Sequence, residues 1–558
     1  MRAAIPSADT ALSLAHIEAS FRFDDVRQLA PTYQECGPET AQAILEEAGR
    51  FASDLLEPLN LQMDTQGVTL SRGRVLTAPG HREAWTAFVE AGWPTIGHRA
   101  DHGGQELPLA MCLAVQELFD RACPAFGMLP VPQRSAARLI AAFASDEDSD
   151  RHLAELASGE LGATICISEA GAGSDVMQMH THAMPQDDGS WRITGEKCWI
   201  SFGDHDLTDD IIHCVLARSD PPGTERPEVS LFLVPGGGAQ PDSVIVRRLE
   251  EKLGLHGSPT CAVGFEAASA RLLGVRGRGL AQMFVMITQM RLAVGAMGLG
   301  MAGAASDIAD AYARERRQGG KPGAPVTITA HRDVQRQLME LAGRTQLLRG
   351  LTLNTANIAD IALRSKNESE RRDYEALLQW LLPILKTCGA DAAFNNASGA
   401  IQVLGGAGYT ADWPVEQILR DARVLAVFEG TSGMQALDIV HRRVLRDSAG
   451  LAVFLAIARL DGEGTPLVDA LDLLDDAANR LKAGTPDDAD GAAAAFLALA
   501  MITALGWVAA RFARLQRSVP GHDDMVRTAA YALDRLLPRA RLAHSEVCAG
   551  AGPLKHFI

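Results

Sequence analysis

IQVLGGAGYTADWPVEQILRDARVLAVFEGTSGMQALDIVHRR, Ile401 to Arg443, is the stretch on which the reading of the chain turns. Pro414 and Glu416 open a helix whose apolar face is Ile418, Leu419 and Ala422. Val424 to Phe428 then runs apolar without a helical polar face. It delivers one carboxylate, Glu429, ahead of the flexible turn Gly430-Thr431-Ser432-Gly433. Such a carboxylate is expected to be partly desolvated. Desolvation penalises the charged form and raises the pKa from about 4.3 toward the ~6 to 7 that suits a general base near neutral pH. The same residue also suits the first turn of the following helix, where it would complement the macrodipole.

Arg420 to Gln435, RDARVLAVFEGTSGMQ, resembles the arginine-aspartate-alanine block and EGT motif of the acyl-CoA dehydrogenases. Gln402 to Tyr409, QVLGGAGY, resembles the glycine turn that precedes them. The resemblance implies that Glu429 abstracts the α-proton of an acyl-CoA thioester while the β-hydride passes to FAD. It also implies that Gln402, Gly405 and Gly406 meet the adenosine side of a neighbouring subunit's FAD, with Thr431 assigned to the cofactor beside the base.

At 558 residues the chain exceeds one ordinary core, and two or three domains are expected. A net charge of -17, with 22% charged and 47% hydrophobic residues, describes a globular protein without long disordered parts, and argues against a broad nucleic-acid footprint. The nine cysteines form no CxxC pair and no Cys/His cluster at zinc spacing, so they are taken as buried or incidental thiols in a reducing cytosol and no metal site is expected. The N-terminus lacks the apolar core of a secretion signal, and a cytoplasmic location is expected. Ala492 to Ala510 is uncharged over 19 residues, but its alanine richness and amphipathic flanks favour a buried bundle helix over a membrane span.

Residues 1 to 160 have the pattern of a helical domain. Ile44 to Leu56 recur at three and four, with Glu57-Pro58-Leu59-Asn60 expected to close that helix. His81 to Gly92 follows, then a loop from His102 to Pro108, then helix from Leu109 to Phe119. From 161 to 275 short β-branched and aromatic runs, Ala163–Ile167, Trp191–Ile200, Ile211–Ala217 and Val229–Val234, mark a β-domain. Ile167-Ser168-Glu169-Ala170-Gly171-Ala172-Gly173-Ser174-Asp175 follows a strand and suits an anion nest. It is no dinucleotide fingerprint, because Val176 takes the third glycine's place. It resembles the family's threonine-glutamate-proline-GAGSD segment, which implies flavin contact at Ile167 and Ser168 and CoA contact at Ser174. Thr194-Gly195-Glu196-Lys197-Cys198-Trp199-Ile200-Ser201 resembles the strand whose aromatic residue shields the flavin and whose hydroxyl bonds near its reactive nitrogen. Trp199 and Ser201 take those roles. Lys252 to Thr260 is similar to the larger branch of the family, which includes methylthiopropionyl-CoA and long-chain acyl-CoA dehydrogenases.

Long helices dominate from 276 to 445. Gly298-Leu299-Gly300-Met301-Ala302-Gly303 matches GxGxxG, but it sits inside a helical pattern, where Gly295, Gly298, Ala302 and Ala305 suit close helix packing instead. By resemblance, Arg291 lies near the CoA moiety and Arg316 binds a neighbour's FAD pyrophosphate, for which a guanidinium fork is suited. Helices are also expected over Thr327–Leu363 and Tyr374–Val403. Residues 446 to 558 add a helical extension, Leu451–Leu460, Leu467–Leu481, Asp490–Leu515 and Asp523–Arg541. Its last part, from Arg511, holds eight basic and four acidic residues.

The expected fold is therefore α+β multidomain: an N-terminal helical domain, a β-barrel-like middle domain, a C-terminal four-helix bundle and the extension. The expected activity is α,β-dehydrogenation of an acyl-CoA with FAD, passing electrons to an electron-transfer flavoprotein, in a homodimer or homotetramer. Two other readings stay open. One is an alkylation-response flavoprotein that binds DNA through its C-terminal helices, against which the basic excess after Arg511 is slight. The other is an acyl-CoA oxidase.

Overall fold

The computed structural model describes residues 2–100, 103–221, 224 and 227–554. His102 of the glycine loop, Lys555 of the basic excess, and Met1 lie outside them. The chain divides into two units, one of Met1–Ala52, Leu107–Ala122 and Arg291–Ile558, the other of Ser53–Glu106 and Cys123–Met290.

The second unit holds the strands. A hairpin of β1 (Thr69–Ser71) and β2 (Arg74–Leu76) turns on Arg72 and Gly73, both at positive φ, the geometry of a type I′ turn. The main sheet comprises β3 (Leu161–Cys166), β4 (His182–Pro185), β5 (Trp191–Ser201), β6 (Asp210–Arg218), β7 (Val229–Pro235), β8 (Val244–Leu249) and β9 (Thr260–Leu273). Pairing runs β6, β4, β5, β9, β7 and back to β6, which closes a ring and leaves β3 as a parallel flank on β6 and β8 as a flank on β9. The ring pairs each of its five strands on both sides, and the buried side chains Ile193, Val215, Phe232, Val263 and Phe265 pack together in the sheet's core. The four strands expected from β-branched runs are present; β4, four residues without a β-branched run, and β8, with Arg247 and Arg248 interrupting its valines, are not legible that way.

The first unit is helical. Gly279–Glu315, which begins at the end of the other unit, is followed by Arg332–Arg364 and Glu368–Leu404. Buried polar contacts fasten early chain to late chain. Asp360 accepts from the Tyr33 hydroxyl and the Leu109 amide, each at 2.8 Å, and Arg349 pairs with Glu117. The extension belongs to the same core: Trp380 stacks edge-on against Phe496, Trp507 donates to Asp461 at 2.7 Å, and His441 meets Asp490 at 2.6 Å. Two helices, Gly279–Glu315 and Pro486–Ala513, are long and apolar enough to cross a membrane. Their apolar windows are 94% and 67% buried within the protein, the signature of core helices.

Four expectations are corrected. Pro58 does not close a helix: Pro38–Phe51 passes through a π turn at Ala52–Leu56 into Glu57–Gln66. Pro58 falls in the first turn after the shift, where its missing N–H is not needed. Thr327 does not start a helix; it ends a hairpin of β10 (Arg317–Lys321) and β11 (Ala324–Thr327), made possible by left-handed glycines at 319, 320 and 323. The last expected helix breaks around Pro538 into His522–Tyr531 and Ala540–Ala549. The N-terminal region also contains the β1–β2 hairpin.

All nine cysteines are free, eight buried and Cys548 exposed. Asp476, His544 and Cys548 bring ligand-type atoms within 4.8 Å of one another at the surface. Arg480 and His544 already occupy the Asp476 carboxylate, at 2.6 and 2.7 Å.

Candidate active site

The helix Val415–Ala422 starts where the proline predicts, and one tight helical turn, Arg423–Ala426, carries the chain to Glu429. The next helix begins only at Ser432, with the Thr431 hydroxyl accepting from the Met434 amide at 3.2 Å as its N-cap. Glu429 therefore lies outside that helix, and the first-turn reading is set aside.

Glu429 stands at φ 54, in the left-handed region. For a side chain with a Cβ this costs about 1–2 kcal/mol. The surroundings hold it there: Gln435 Nε2 donates to the Glu429 and Gly430 carbonyls at 3.1 and 3.2 Å, and Lys386 Nζ donates to the Gly430 carbonyl at 2.8 Å. Burial raises the pKa of the Glu429 carboxyl, opposed first by the charge of Arg291 and then by that of Lys386. Arg291 is itself committed to Asp438, Nη1 to Oδ2 2.7 Å, with both side chains nearly buried. The geometry thus offers a carboxylate on a fixed peptide, its pKa raised by burial, with two cations in electrostatic reach.

In the same unit Arg316 is exposed just past the end of Gly279–Glu315, and Gln402, Gly405 and Gly406 are exposed where Glu368–Leu404 ends. A Cβ added at Gly405 or Gly406 would meet no atom within 4 Å, so that turn is open.

The strand unit carries the remaining candidates. β3 ends at Cys166 and leads into Ile167 and Ser168, both half-buried. The loop is pinned by a buried pair: Lys197 Nζ meets Glu169 Oε1 at 2.8 Å and the Ile167 carbonyl at 2.9 Å. Glu169 also accepts the His180 and Thr181 amides, and the Cys198 amide donates to the Ser168 carbonyl at 2.9 Å. Trp199 sits at a bulge between Lys197 and Ile200 of β5, at φ 62, with 60% of its surface exposed. Ser201 is half-buried at the end of the strand, and Ser174 is exposed. Ile167, Ser168, Trp199 and Ser201 thus cluster through direct backbone and strand contacts; Ser174 is on the outer part of the loop.

Lys386, Gln435, and the Glu169–Lys197 pair were not singled out from sequence. Lys386 had a signal: it is the lone charge in Leu381-Leu382-Pro383-Ile384-Leu385-Lys386-Thr387-Cys388, a run otherwise fit for burial. A cleft bounded by Leu363, Arg371, Glu375, Arg443 and Gly450 holds none of the candidate residues.

Models of the acyl-CoA dehydrogenase N-terminal, middle and C-terminal domains match residues 38–160, 164–268 and 277–445. The chain belongs to the acyl-CoA dehydrogenase family, FAD-dependent oxidoreductases acting on acyl-CoA. It is 36% identical over 446 residues to 3-methylmercaptopropionyl-CoA dehydrogenase of Ruegeria pomeroyi, covering 77% of this chain and 76% of that protein. It is 31% identical to a broad-specificity linear acyl-CoA dehydrogenase of Mycobacterium tuberculosis, over 78% of this chain and 74% of the other. The fold matches that of Caenorhabditis elegans ACDH-11 in complex with C11-CoA, TM-score 0.77 at 19% identity over 96% of this chain and 93% of that one. It likewise matches an acyl-CoA dehydrogenase complexed with FAD from Bacillus anthracis, TM-score 0.73 at 20% identity over 96% and 89%.

Proposed function

We propose that Glu429 is the base in this enzyme's α,β-dehydrogenation of an acyl-CoA. The observation that carries the reading is the carboxylate itself: left-handed, clamped at two consecutive carbonyls, and made more basic by burial. The thioester acidifies the α-carbon, and Glu429 takes its proton as the β-hydride departs, leaving the 2-enoyl-CoA. FAD, when bound, supplies the acceptor for that hydride.

The residues present fit a flavin. An exposed indole at a strained bulge, beside the half-buried Ser168 and Ser201, has the flat apolar face and the hydroxyl donors that a ring system needs. Trp199 would cover the ring, with Ile167, Ser168 and Ser201 beside it in the strand unit; in the helical unit, Thr431 is assigned to the cofactor as well. Arg316, Gln402, Gly405 and Gly406 are exposed, which suits residues offered to a cofactor in a second subunit, so the working form is a homodimer or homotetramer. Ser174 and Arg291 are assigned to the CoA portion. Domain limits at 160, 275 and 445, a cytoplasmic location and an electron-transfer flavoprotein as oxidant complete the reading.

The test is anaerobic titration of the flavin-loaded protein with short, medium, long, branched and methylthio acyl-CoAs. At least one should bleach the flavin, and bleaching should fall at least ~10²-fold in Glu429→Gln with flavin content unchanged. No bleaching by any thioester, or normal bleaching by the variant, would sink the assignment.

A further inference from the structure

Lys386 is the only cation in the middle of the apolar run that contains it, and its side chain is fully buried. Its ammonium makes one hydrogen bond among the described residues, to the carbonyl of Gly430, the residue directly after Glu429. No carboxylate ion pair to it is found among the described residues. A buried ammonium without a paired anion is costly, and it persists only where its charge or its donors are needed.

We propose that Lys386 is a positioning residue for Glu429: its ammonium holds the Gly430 carbonyl and supplies the counter-charge that keeps the Glu429 carboxylate available as a base. This rests on the reading of Glu429 as the base. Two separate functions are implied. The hydrogen bond, with those of Gln435, fixes the left-handed peptide. The charge offsets the burial that would otherwise favour the protonated carboxyl.

The neighbouring charges explain why Lys386 is needed. Arg291 exerts the larger pull on Glu429, but its guanidinium is paired with Asp438, which Arg442 and Arg443 also approach at 3.6 and 3.8 Å. The groups that act on Lys386 are Glu429, Arg291 and Asp391. Burial, together with Arg291, brings the lysine down to about 8, so it remains charged through neutral pH.

Three substitutions separate the two functions. Lys386→Gln keeps a donor and drops the charge, Lys386→Met drops both, and Lys386→Arg keeps the charge. Ionisation of Glu429 is read in the holoprotein from the protonated-carboxyl infrared band that Glu429→Gln removes, followed against pH. A second reading is α-proton exchange into deuterated water by 3,3-dimethylbutanoyl-CoA, which has α-hydrogens and no β-hydrogen to lose. Flavin content and thermal midpoint verify folding.

Losing the positive charge should raise the Glu429 pKa, so the infrared midpoint and the acid limb of the exchange profile should both move to higher pH. The expected shift is about one unit or more in Lys386→Gln and Lys386→Met, with none in Lys386→Arg. Slower exchange at every pH with an unmoved midpoint would make Lys386 a packing residue and overturn the proposal. If Gln and Met variants lose the flavin, Lys386→Arg decides, because a midpoint displaced upward there despite the retained charge also overturns it. Failure of the base assignment is distinguishable: Glu429→Gln would then exchange α-protons at the wild-type rate.

Discussion

Glu429 and Trp199 share an uncommon backbone state, φ 54 and 62, on different elements of the chain. Left-handed conformations at bulky residues cost free energy and cluster where function fixes a side chain's direction. For Trp199 the consequence is measurable. A tryptophan in a strand ordinarily anchors a core, but this one is mostly exposed, so Trp199→Ala should change unfolding free energy by no more than ~0.5 kcal/mol. Flavin retention on dilution should fall markedly. A large loss of stability of the apoprotein would return Trp199 to the core. The pairing of an aromatic residue with a hydroxyl two positions on was legible in the sequence, whereas the exposure of Trp199 was not, because a bulge rather than simple alternation sets which way residue 199 points.

Among the elements, the helix Gly279–Glu315 answers the one false motif. Its GxGxxG has no strand before it; the glycines are where backbones meet. A Cβ at Gly298 would stand 2.3 Å from the Gly389 carbonyl oxygen, and at Gly300 2.6 Å from the Glu117 carbonyl oxygen. Gly298→Ala should therefore cost about 1–3 kcal/mol in denaturant unfolding, although alanine is the better helix former. Gly303→Ala meets no backbone, only the side chains of Arg121 at 3.2 Å and Thr345 at 3.8 Å, and should cost less. Equal effects at the two sites would refute the close-packing account. The three-and-four spacing of small residues revealed this face, but not its partner: Gly389 lies in Glu368–Leu404, far along the chain.

For the molecule as a whole, pH reports on burial. His81, His205 and His213 are buried in the strand unit, and desolvation lowers them from 6.5 to about 4, 3 and 4. His205 Nδ1 faces the Leu207 amide at 3.2 Å as acceptor, which leaves the ring neutral with its proton on Nε2. Because the folded values lie below the unfolded ones, the unfolded chain binds more protons between them. Stability is then full above pH 6.5 and is lost as pH falls toward 4, at about 1.4 kcal/mol per unit of separation for each ring. Thermal midpoints measured across pH 7 to 4 should decline. Substituting His213 by glutamine should flatten that decline, and an unchanged slope would contradict it.

The sequence by itself determined the kind of protein this is: a β-domain from its β-branched runs, the helices of the bundle and extension from their periodicity, and, through the resemblance of Arg420 to Gln435 to the EGT motif, Glu429 as the candidate base. These are local patterns, and local patterns are written in consecutive residues. Only the tertiary structure decided that Glu429 stands apart from the next helix, that Gln435 and Lys386 fasten its peptide, and that Lys197 and Glu169 pin the Ser168 loop. Lys386 and Gly430 are distant in the chain, and a hydrogen bond between them exists only once the helices have packed. Burial then makes that donor, and the raised basicity of the carboxylate, count for more than either would in water.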